Sequence, residues 1–152
     1  MLIVFTLTVF LLAHVTNGCT CLGSSLHQDY CDSKYLIRAQ VLSQTRTSEA
    51  DINADIYYTV RVLNVYKGAN GYFTRGTTTV NIWTPGNDGI CKVPLKAGTN
   101  YYLGVTFDQK ENKLRIMLCN LWKEENQLKQ CQRKLISKGA FDCTCKDSSC
   151  YQ

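Results

Sequence analysis

The cysteine content constrains the fold of this chain more than any other feature. Nine of the 152 residues are cysteine, against only two prolines. In a secreted chain of this size, such a count indicates a framework of disulfides, whereas in a reducing compartment it would favour metal thiolates or reactive thiols. The cellular compartment therefore decides how the cysteines are interpreted, and the amino-terminal sequence indicates which compartment it is.

The first 18 residues have the pattern of a secretory signal peptide. Residues 2–13 form an almost unbroken apolar run, which suits a signal-peptide core and is too short to span a bilayer. Residues 15–18 (VTNG) then place small residues at the −3 and −1 positions of a cut after Gly18. We therefore predict that residues 1–18 are removed, that the mature chain begins at Cys19, and that the protein is secreted and extracellular without a membrane span.

Composition excludes several classes of protein. The chain is 45% hydrophobic and 19% charged, which is the ordinary balance of one globular domain rather than of a disordered or collagen-like chain. After the predicted cut, His27 is the only histidine, so a zinc site with two histidines cannot be built. Any histidine-based catalytic triad would have to use His27. We expect no enzymatic activity and no cofactor of the protein's own, and we place His27 in an exposed loop.

Apolar periodicity predicts five antiparallel strands followed by one helix. The predicted strands are residues 34–44, 56–67, 77–84, 99–107 and 113–119. From residue 121 to 138, apolar residues recur at helical spacings, and Gly139 suits the end of an amphipathic helix. This mainly β order favours a five-stranded barrel of the oligonucleotide/oligosaccharide-binding type (OB-fold) over a β-sandwich, which normally has about seven strands.

Short motifs along the chain resemble the tissue inhibitors of metalloproteinases. After the predicted cut the chain reads Cys19-Thr20-Cys21. The later matching positions are Cys31, residues 36–39 (LIRA), 65–68 (VYKG) and 95–98 (LKAG), Cys119, Trp122, Leu128, Gln132-Arg133 and Cys143. Each motif is weak alone, but the ordered set covers nearly all of residues 19–145. The chain resembles a single netrin-like (NTR) module, the inhibitory amino-terminal domain of that family without its second domain, followed by a short cysteine-containing tail at residues 146–152.

The resemblance implies how most of the cysteines pair. It implies the disulfides Cys19–Cys91, Cys21–Cys119 and Cys31–Cys143, although the sequence leaves Cys145 open as the partner of Cys31. Three further cysteines exceed this set, namely Cys131, Cys145 and Cys150. We expect Cys131 to pair with Cys150 or Cys145, which leaves one thiol free or available for an intermolecular bridge.

The resemblance also implies a mechanism of inhibition. The α-amino group and carbonyl oxygen of Cys19 would bind the catalytic zinc of the target protease and displace its water. Thr20 would enter the specificity pocket beside the zinc, and Cys21 and Leu22 would follow the cleft as a substrate does. The segment Asp88-Gly89-Ile90 would fill the other side of the cleft. The zinc belongs to the partner, which the resemblance identifies as a zinc metalloproteinase such as a matrix metalloproteinase.

One position departs from the family pattern. The family usually has a proline two residues after the second cysteine, whereas this chain has Gly23 and Ser24 there. A more flexible backbone loses more entropy when it is ordered by a partner. We therefore expect weaker binding from residues 19–22, which we call the amino-terminal ridge.

An alternative function is a secreted netrin-like binding module that recognises a matrix, receptor or host protein without inhibiting a protease. The net charge of +5 also suits binding to sulphated glycosaminoglycans of the extracellular matrix. Much of the positive charge lies on the predicted helix and tail, at Lys123, Lys129, Arg133, Lys134, Lys138 and Lys146. Secretion argues against nucleic acid as a partner.

Overall fold

The computed structural model describes residues 19, 21, 23–69, 72–73, 79–87, 89 and 91–144. The predicted signal peptide and the predicted tail lie outside these residues. In chain order the described elements are α1 (Leu26–Asp32), β1 (Tyr35–Arg46), β2 (Ile56–Lys67), β3 (Thr79–Thr84), β4 (Asn100–Asp108), β5 (Lys113–Arg115), β6 (Trp122–Glu124), a 3-10 helix (Glu125–Gln127) and α2 (Gln130–Lys138).

Five of the strands close into a barrel. Antiparallel pairs join β1 to β2, β2 to β3, β4 to β5 and β4 to β1, and a parallel pair joins β3 to β5. The cycle closes because β1 pairs with both β2 and β4, while β6 adds to β4. The predicted five-stranded barrel is confirmed. The prediction that every strand is antiparallel is wrong at β3–β5, because alternation shows which residues face inward but not the direction of a neighbouring strand.

The interior of the barrel follows the predicted alternation along β1 and β2. On β1, Ile37, Ala39 and Val41 are fully buried, and Ile56 and Val60 are fully buried on β2. Tyr58, between them on the same face of β2, is also fully buried, whereas the alternating residues Tyr57 and Thr59 are half-buried. Full burial of a valine or isoleucine side chain contributes about 1.5–3 kcal/mol, so burial of these side chains favours closure of the barrel.

Helix α2 is shorter than the sequence indicates. Residues 122–124 form β6 instead and pair with residues 101–103 of β4. Helix α2 begins at Gln130 and ends at Lys138. Gly139 has a left-handed φ of 59° and its N–H donates to the carbonyls of Ile136 and Leu135, so the predicted helix end is confirmed. Strand pairing with β4 therefore outweighs the helical spacing of the apolar residues at the start of the predicted helix.

Helix α1 does not appear in the sequence-based prediction. Ser25 caps it by accepting a hydrogen bond from the N–H of Gln28 at 3.1 Å. His27 lies on this helix and is only 8% exposed, so its predicted place in an exposed loop is wrong. Its Nε2 lies 2.9 Å from the carbonyl oxygen of Asp142, which makes it a packed structural residue.

The two helices cover one side of the barrel. Their apolar side chains form a second buried cluster with the outer face of the sheet, made of Tyr30, Leu36, Tyr102, Leu121, Leu128, Ile136 and Phe141. Neither helix of the described ranges combines the length and the apolar character that crossing a membrane requires.

Candidate functional site

Three disulfides join the amino-terminal part of the chain to distant segments. They are Cys19–Cys91, Cys21–Cys119 and Cys31–Cys143, with sequence separations of 72, 98 and 112 and Cα–Cα distances of 5.3, 5.4 and 5.4 Å. These are the pairs that the family resemblance implies. Two of the three hold the amino-terminal ridge, at its first and third residues.

The ridge residues that the structure describes stay accessible despite their covalent anchors. Cys19 and Cys21 are each half-buried, and Gly89, which lies on the loop before Cys91, is exposed. The Cys19 sulfur lies 3.9 Å from the carbonyl oxygen of Gly89. The structure therefore places Cys19 and Gly89 on one surface. The other predicted contact residues, Thr20, Leu22, Asp88 and Ile90, lie outside the described residues.

The two segments that anchor the ridge are also bonded to each other. The N–H of Leu118 donates to the carbonyl of Cys91 at 3.2 Å, which places the two disulfide partners Cys91 and Cys119 on adjacent backbone. Cys91 itself has a φ of 69°, a left-handed conformation that is uncommon outside glycine. The anchors of Cys19 and Cys21 thus form one connected support.

Buried hydrogen bonds fix the chain that follows Cys91. The Tyr58 hydroxyl, inside the barrel, donates to the carbonyl of Val93 at 2.7 Å and accepts from the N–H of Leu95 at 3.2 Å. The N–H of Val93 in turn donates to the hydroxyl of Thr84 at 3.1 Å. The N–H of Leu95 also donates to the carbonyl of Val93 at 3.1 Å. Because these groups are removed from water, losing any of these bonds destabilises the segment. The barrel core therefore holds the loop that holds Cys19.

The loop between β1 and β2, residues 47–55, supports the same region from the other side. The Arg46 guanidinium donates to the carbonyl of Ile52 at 3.0 Å and to the carbonyl of Gly86 at 3.1 Å. Gly86 precedes the Cys91 loop and packs directly against the backbone of Ala54. The polar sequence of this loop gives no sign of such a role, which rests on the long-range contacts with Gly86.

The segment before β6 is a compact turn beside Cys21. The N–H of Met117 donates to the side chain of Asn120 at 2.7 Å, and the Trp122 indole donates to the carbonyl of Leu118 at 2.8 Å. A cleft of about 390 Å³ lies next to this turn, with Cys21 and Ser24 among its lining residues. The turn fixes Cys119 and leaves open surface next to the ridge.

The remaining cysteines add no disulfide within the described ranges, and the described residues form no metal site. Cys131 is exposed and forms no disulfide with any residue in the described ranges, while Cys145 and Cys150 lie outside them. Within the part of the chain that the structure describes, no three His, Cys, Asp or Glu side chains cluster in a way that could hold a metal ion.

Comparison with known proteins finds one family of similar sequences. The sequence model of the family described as "Tissue inhibitor of metalloproteinase" matches residues 17–152. Similar proteins include "Metalloproteinase inhibitor 3" of Xenopus laevis, 31% identical over 136 residues that cover 89% of this chain and 61% of the relative. They also include "Metalloproteinase inhibitor 3" of Gallus gallus, 28% identical over 138 residues that cover 90% and 62%, and "Metalloproteinase inhibitor 4" of Mus musculus, 25% identical over 141 residues that cover 89% and 61%.

The chain spans about three fifths of the length of these relatives. The family match nevertheless covers most of the chain, and it includes all six of the cysteines that form disulfides in the structure. The chain belongs to the tissue inhibitor of metalloproteinase family.

Proposed function

We propose that this protein is a secreted inhibitor of zinc metalloproteinases that inserts its amino-terminal ridge into the active-site cleft of the protease. The observation that carries the proposal is that disulfides to Cys91 and Cys119 hold Cys19 and Cys21, although both remain partly accessible. The names of the relatives, all metalloproteinase inhibitors, support the same class of function.

Covalent anchoring at two of the first three residues favours tight binding. A free peptide that enters a protease cleft loses backbone and side-chain freedom, at roughly 0.5–1.5 kcal/mol per immobilised side chain. The ridge is joined to a support whose own backbone is bonded through Leu118 and Cys91. Most of this ordering has therefore occurred before the protease is encountered.

The chemistry of the first residue completes the proposal. Cleavage after Gly18 would leave Cys19 with a free α-amino group, whose ordinary pKa of about 7.7–8.0 allows it to lose a proton to a metal at neutral pH. This amine and the carbonyl oxygen of Cys19 would then bind the protease's zinc in place of its water. No covalent bond is made or broken, so inhibition occurs by occupancy. The zinc is supplied by the protease.

The other ridge residues would contact the protease on either side of the zinc. Thr20 enters the specificity pocket, and Leu22 continues along the cleft behind Cys21. Asp88 and Ile90 flank the exposed Gly89, and together they fill the opposite side of the cleft. Thr20→Gly should weaken inhibition because it removes the side chain that enters the pocket. Thr20→Ser removes only the methyl group and keeps the hydroxyl, so it should weaken inhibition less.

The test combines amino-terminal sequencing of the secreted protein with titration against a panel of active matrix metalloproteinases. We expect a mature chain that begins at Cys19 and inhibits stoichiometrically. A variant with one alanine added before Cys19 displaces the amine from the zinc and should lose inhibition by at least about a hundredfold. The matched control carries the same alanine after Gln152 and should inhibit as the parent does.

Two results would contradict the proposal. One is a mature chain that begins at another residue, since Cys19 would then have no α-amino group. The other is a chain that begins at Cys19 and inhibits no enzyme of the panel, or inhibits equally with the added alanine. Either result favours a netrin-like binding module, whose partners should then be sought among extracellular matrix proteins and sulphated glycosaminoglycans.

A further inference from the structure

The outer face of strands β2 and β3 carries two aromatic rings and mostly uncharged polar side chains. Its cross-strand pairs are Tyr57–Trp83, Thr59–Asn81 and Arg61–Thr79. Residues directly opposite in an antiparallel pair point to the same side of the sheet, and all six are half-buried or exposed. In OB-folds, this face and the flanking β1–β2 and β4–β5 loops bind oligosaccharides and oligonucleotides.

A cleft opens beside this face because β3 and β5 separate there. The two strands pair only at residues 82–83 and 114–115, so residues 79–81 have β2 as their only strand partner among the described residues. The space between them is a cleft of about 460 Å³, which we call the Trp83 cleft. Its lining includes Tyr72, Thr79, Asn81, Trp83, Asn112 and Lys113. The volume lies within the usual range of small-ligand sites, about 300–1,000 Å³.

Two aromatic rings in the Trp83 cleft are held in place by other rings. Trp83 packs beside Tyr57 with the ring centres 4.8 Å apart. The ring of Tyr72, a residue that is 42% exposed, lies 5.6 Å from Phe73 and 5.3 Å from Phe107. Rings that are already fixed lose little conformational entropy when a ligand packs on them. They therefore suit a ligand with flat apolar faces, such as the C–H faces of a pyranose ring.

Uncharged hydrogen-bonding groups lie beside these rings. The Thr59 hydroxyl donates to the side-chain oxygen of Asn81 at 3.0 Å, and no described residue accepts a hydrogen bond from the Asn81 amide nitrogen. Asn112, exposed on the loop between β4 and β5, offers a second amide. A side-chain amide can donate to and accept from neighbouring hydroxyl groups, which are the polar groups of a neutral sugar.

The charged side chains that line the Trp83 cleft neutralise each other. Lys113 forms an ion pair with Glu111 at 2.9 Å. The neighbouring Arg115 is bound by three carboxylates at 2.6–3.4 Å, those of Glu111, Asp55 and Asp108. A nucleic acid or a sulphated glycan is attracted by cations that carboxylates do not already neutralise. The charge of the cleft therefore matches an uncharged ligand better than a polyanion.

We propose that the Trp83 cleft binds a neutral oligosaccharide. One sugar ring packs on Trp83, and its hydroxyls form hydrogen bonds with Asn81 and Asn112. The Lys113 ammonium lies 4.2 Å from the centre of the Trp83 ring. Because a lysine side chain is flexible, it can leave the ring to the ligand and keep its ion pair with Glu111. This proposal does not depend on protease inhibition.

NMR titration of the full protein tests the proposal, with chitopentaose, mannopentaose and maltopentaose as uncharged probes. The chain has two tryptophans. The indole of Trp122, which donates to the carbonyl of Leu118, is outside the cleft and serves as an internal control. We expect at least one probe to shift the Trp83 indole and Asn81 amide signals saturably and to leave the Trp122 indole signal unchanged.

Three results would overturn the proposal. The first is that no probe shifts the Trp83 indole signal. The second is that the Trp122 signal shifts as much as the Trp83 signal, since the effect would then not be local to the cleft. The third is that a heparin pentasaccharide or a single-stranded oligothymidylate binds at Trp83 more tightly than every neutral probe, which would assign the cleft to a polyanion.

Matched variants test where the ligand lies. Asn81→Ala should weaken binding of the best probe about three- to tenfold. Asn126→Ala removes an exposed amide on the 3-10 helix and should bind as the parent does. Trp83→Ala should abolish the shift of the Asn81 signal. Equal affinities of Asn81→Ala and the parent would overturn the assignment of the ligand to this cleft. The titration of the parent remains decisive even if the Trp83 variant folds poorly.

Discussion

The backbone of Gly86 packs so closely against Ala54 that a Cβ at position 86 would overlap the Ala54 carbonyl oxygen. Gly86 is buried, and its own carbonyl accepts from Arg46. This contact joins the loop between β1 and β2 to the segment that leads into Gly89 and Cys91. The position of the Cys19 anchor therefore depends on a glycine that lies outside the ridge.

Gly86→Ala should lower stability and weaken inhibition together. The added methyl meets backbone rather than a flexible side chain, so one of the two loops must move, at about 1–3 kcal/mol. Chemical denaturation and the inhibition constant measure the two effects. Gly23→Ala is the control for stability, because a Cβ there meets no atom within 4 Å, and its unfolding midpoint should stay the same or rise slightly. An unfolding midpoint of Gly86→Ala equal to that of the parent would show that the loops adjust freely.

Tyr58→Phe should destabilise the protein by about 0.5–1.5 kcal/mol, because the carbonyl of Val93 and the N–H of Leu95 each lose one buried partner and keep only their bond to each other. Hydrogen exchange at the Leu95 amide should accelerate beyond the amount that global unfolding explains. Tyr57→Phe is the matched control on the same strand. Tyr57 is half-buried and its ring packs beside Trp83 at 4.8 Å, so its change should stay within about 0.5 kcal/mol. An equal loss of stability in the two variants would contradict the supporting role of the Tyr58 hydroxyl.

Glu125 should make part of the stability sensitive to acid. Burial opposes ionisation of this carboxyl, but hydrogen bonds from Asn100 and Arg38 outweigh it and hold the pKa of Glu125 below its usual 4.5. A carboxyl with a lowered pKa binds its proton more weakly in the folded state than in the unfolded state. Its contribution is therefore complete above pH 4.5 and is lost as the pH falls below that value.

Glu125→Gln tests this assignment. The variant should be less stable than the parent by about 1 kcal/mol at pH 7. The difference should shrink by pH 3, because the carboxyl of the unfolded chain, with its ordinary pKa of 4.5, takes up a proton above that pH. Urea denaturation at both pH values measures it. Glu49→Gln, in the exposed part of the loop between β1 and β2, should differ little from the parent at either pH. A Glu125→Gln difference that stays constant between pH 7 and pH 3 would contradict the assignment.

Ser24→Pro should strengthen inhibition. Proline restricts the backbone between Cys21 and helix α1, which begins at Leu26 after its cap at Ser25, and such restriction is worth about 0.4–1 kcal/mol. The inhibition constant should fall about two- to fivefold. Ser24→Ala removes the same hydroxyl without restricting φ and should leave the constant unchanged. Weaker inhibition by the proline variant would mean that the ridge must adjust its backbone on binding.

The sequence predicts local features of this fold better than its long-range contacts. Alternation along residues 35–41 and 56–60 identifies the barrel interior because burial follows a two-residue period within a single strand. The parallel pairing of β3 with β5 and the change of residues 122–124 from helix to strand depend on partners far along the chain. No periodicity within one segment reports such partners.

The same distinction holds at the candidate site. The cysteines are visible in sequence, and the resemblance supplies their pairing. The supporting roles of Tyr58, Arg46 and Gly86 rest on contacts between residues that are 32 to 40 positions apart. A tyrosine within an alternating strand predicts only burial, so the hydrogen bond of its hydroxyl to the Cys91 loop could not be predicted.

The sequence separations of the three disulfides bear on how the chain is made. Each bridge joins one of residues 19, 21 and 31 to a partner at 91, 119 or 143. The ribosome delivers the ridge cysteines first and the last partner only when nearly the whole domain has been synthesised. During that interval Cys19, Cys21 and Cys31 are closer in sequence to one another than to any native partner. Correct maturation therefore requires either that these thiols stay reduced until residue 143 has emerged, or that a disulfide isomerase rearranges the early bonds among them.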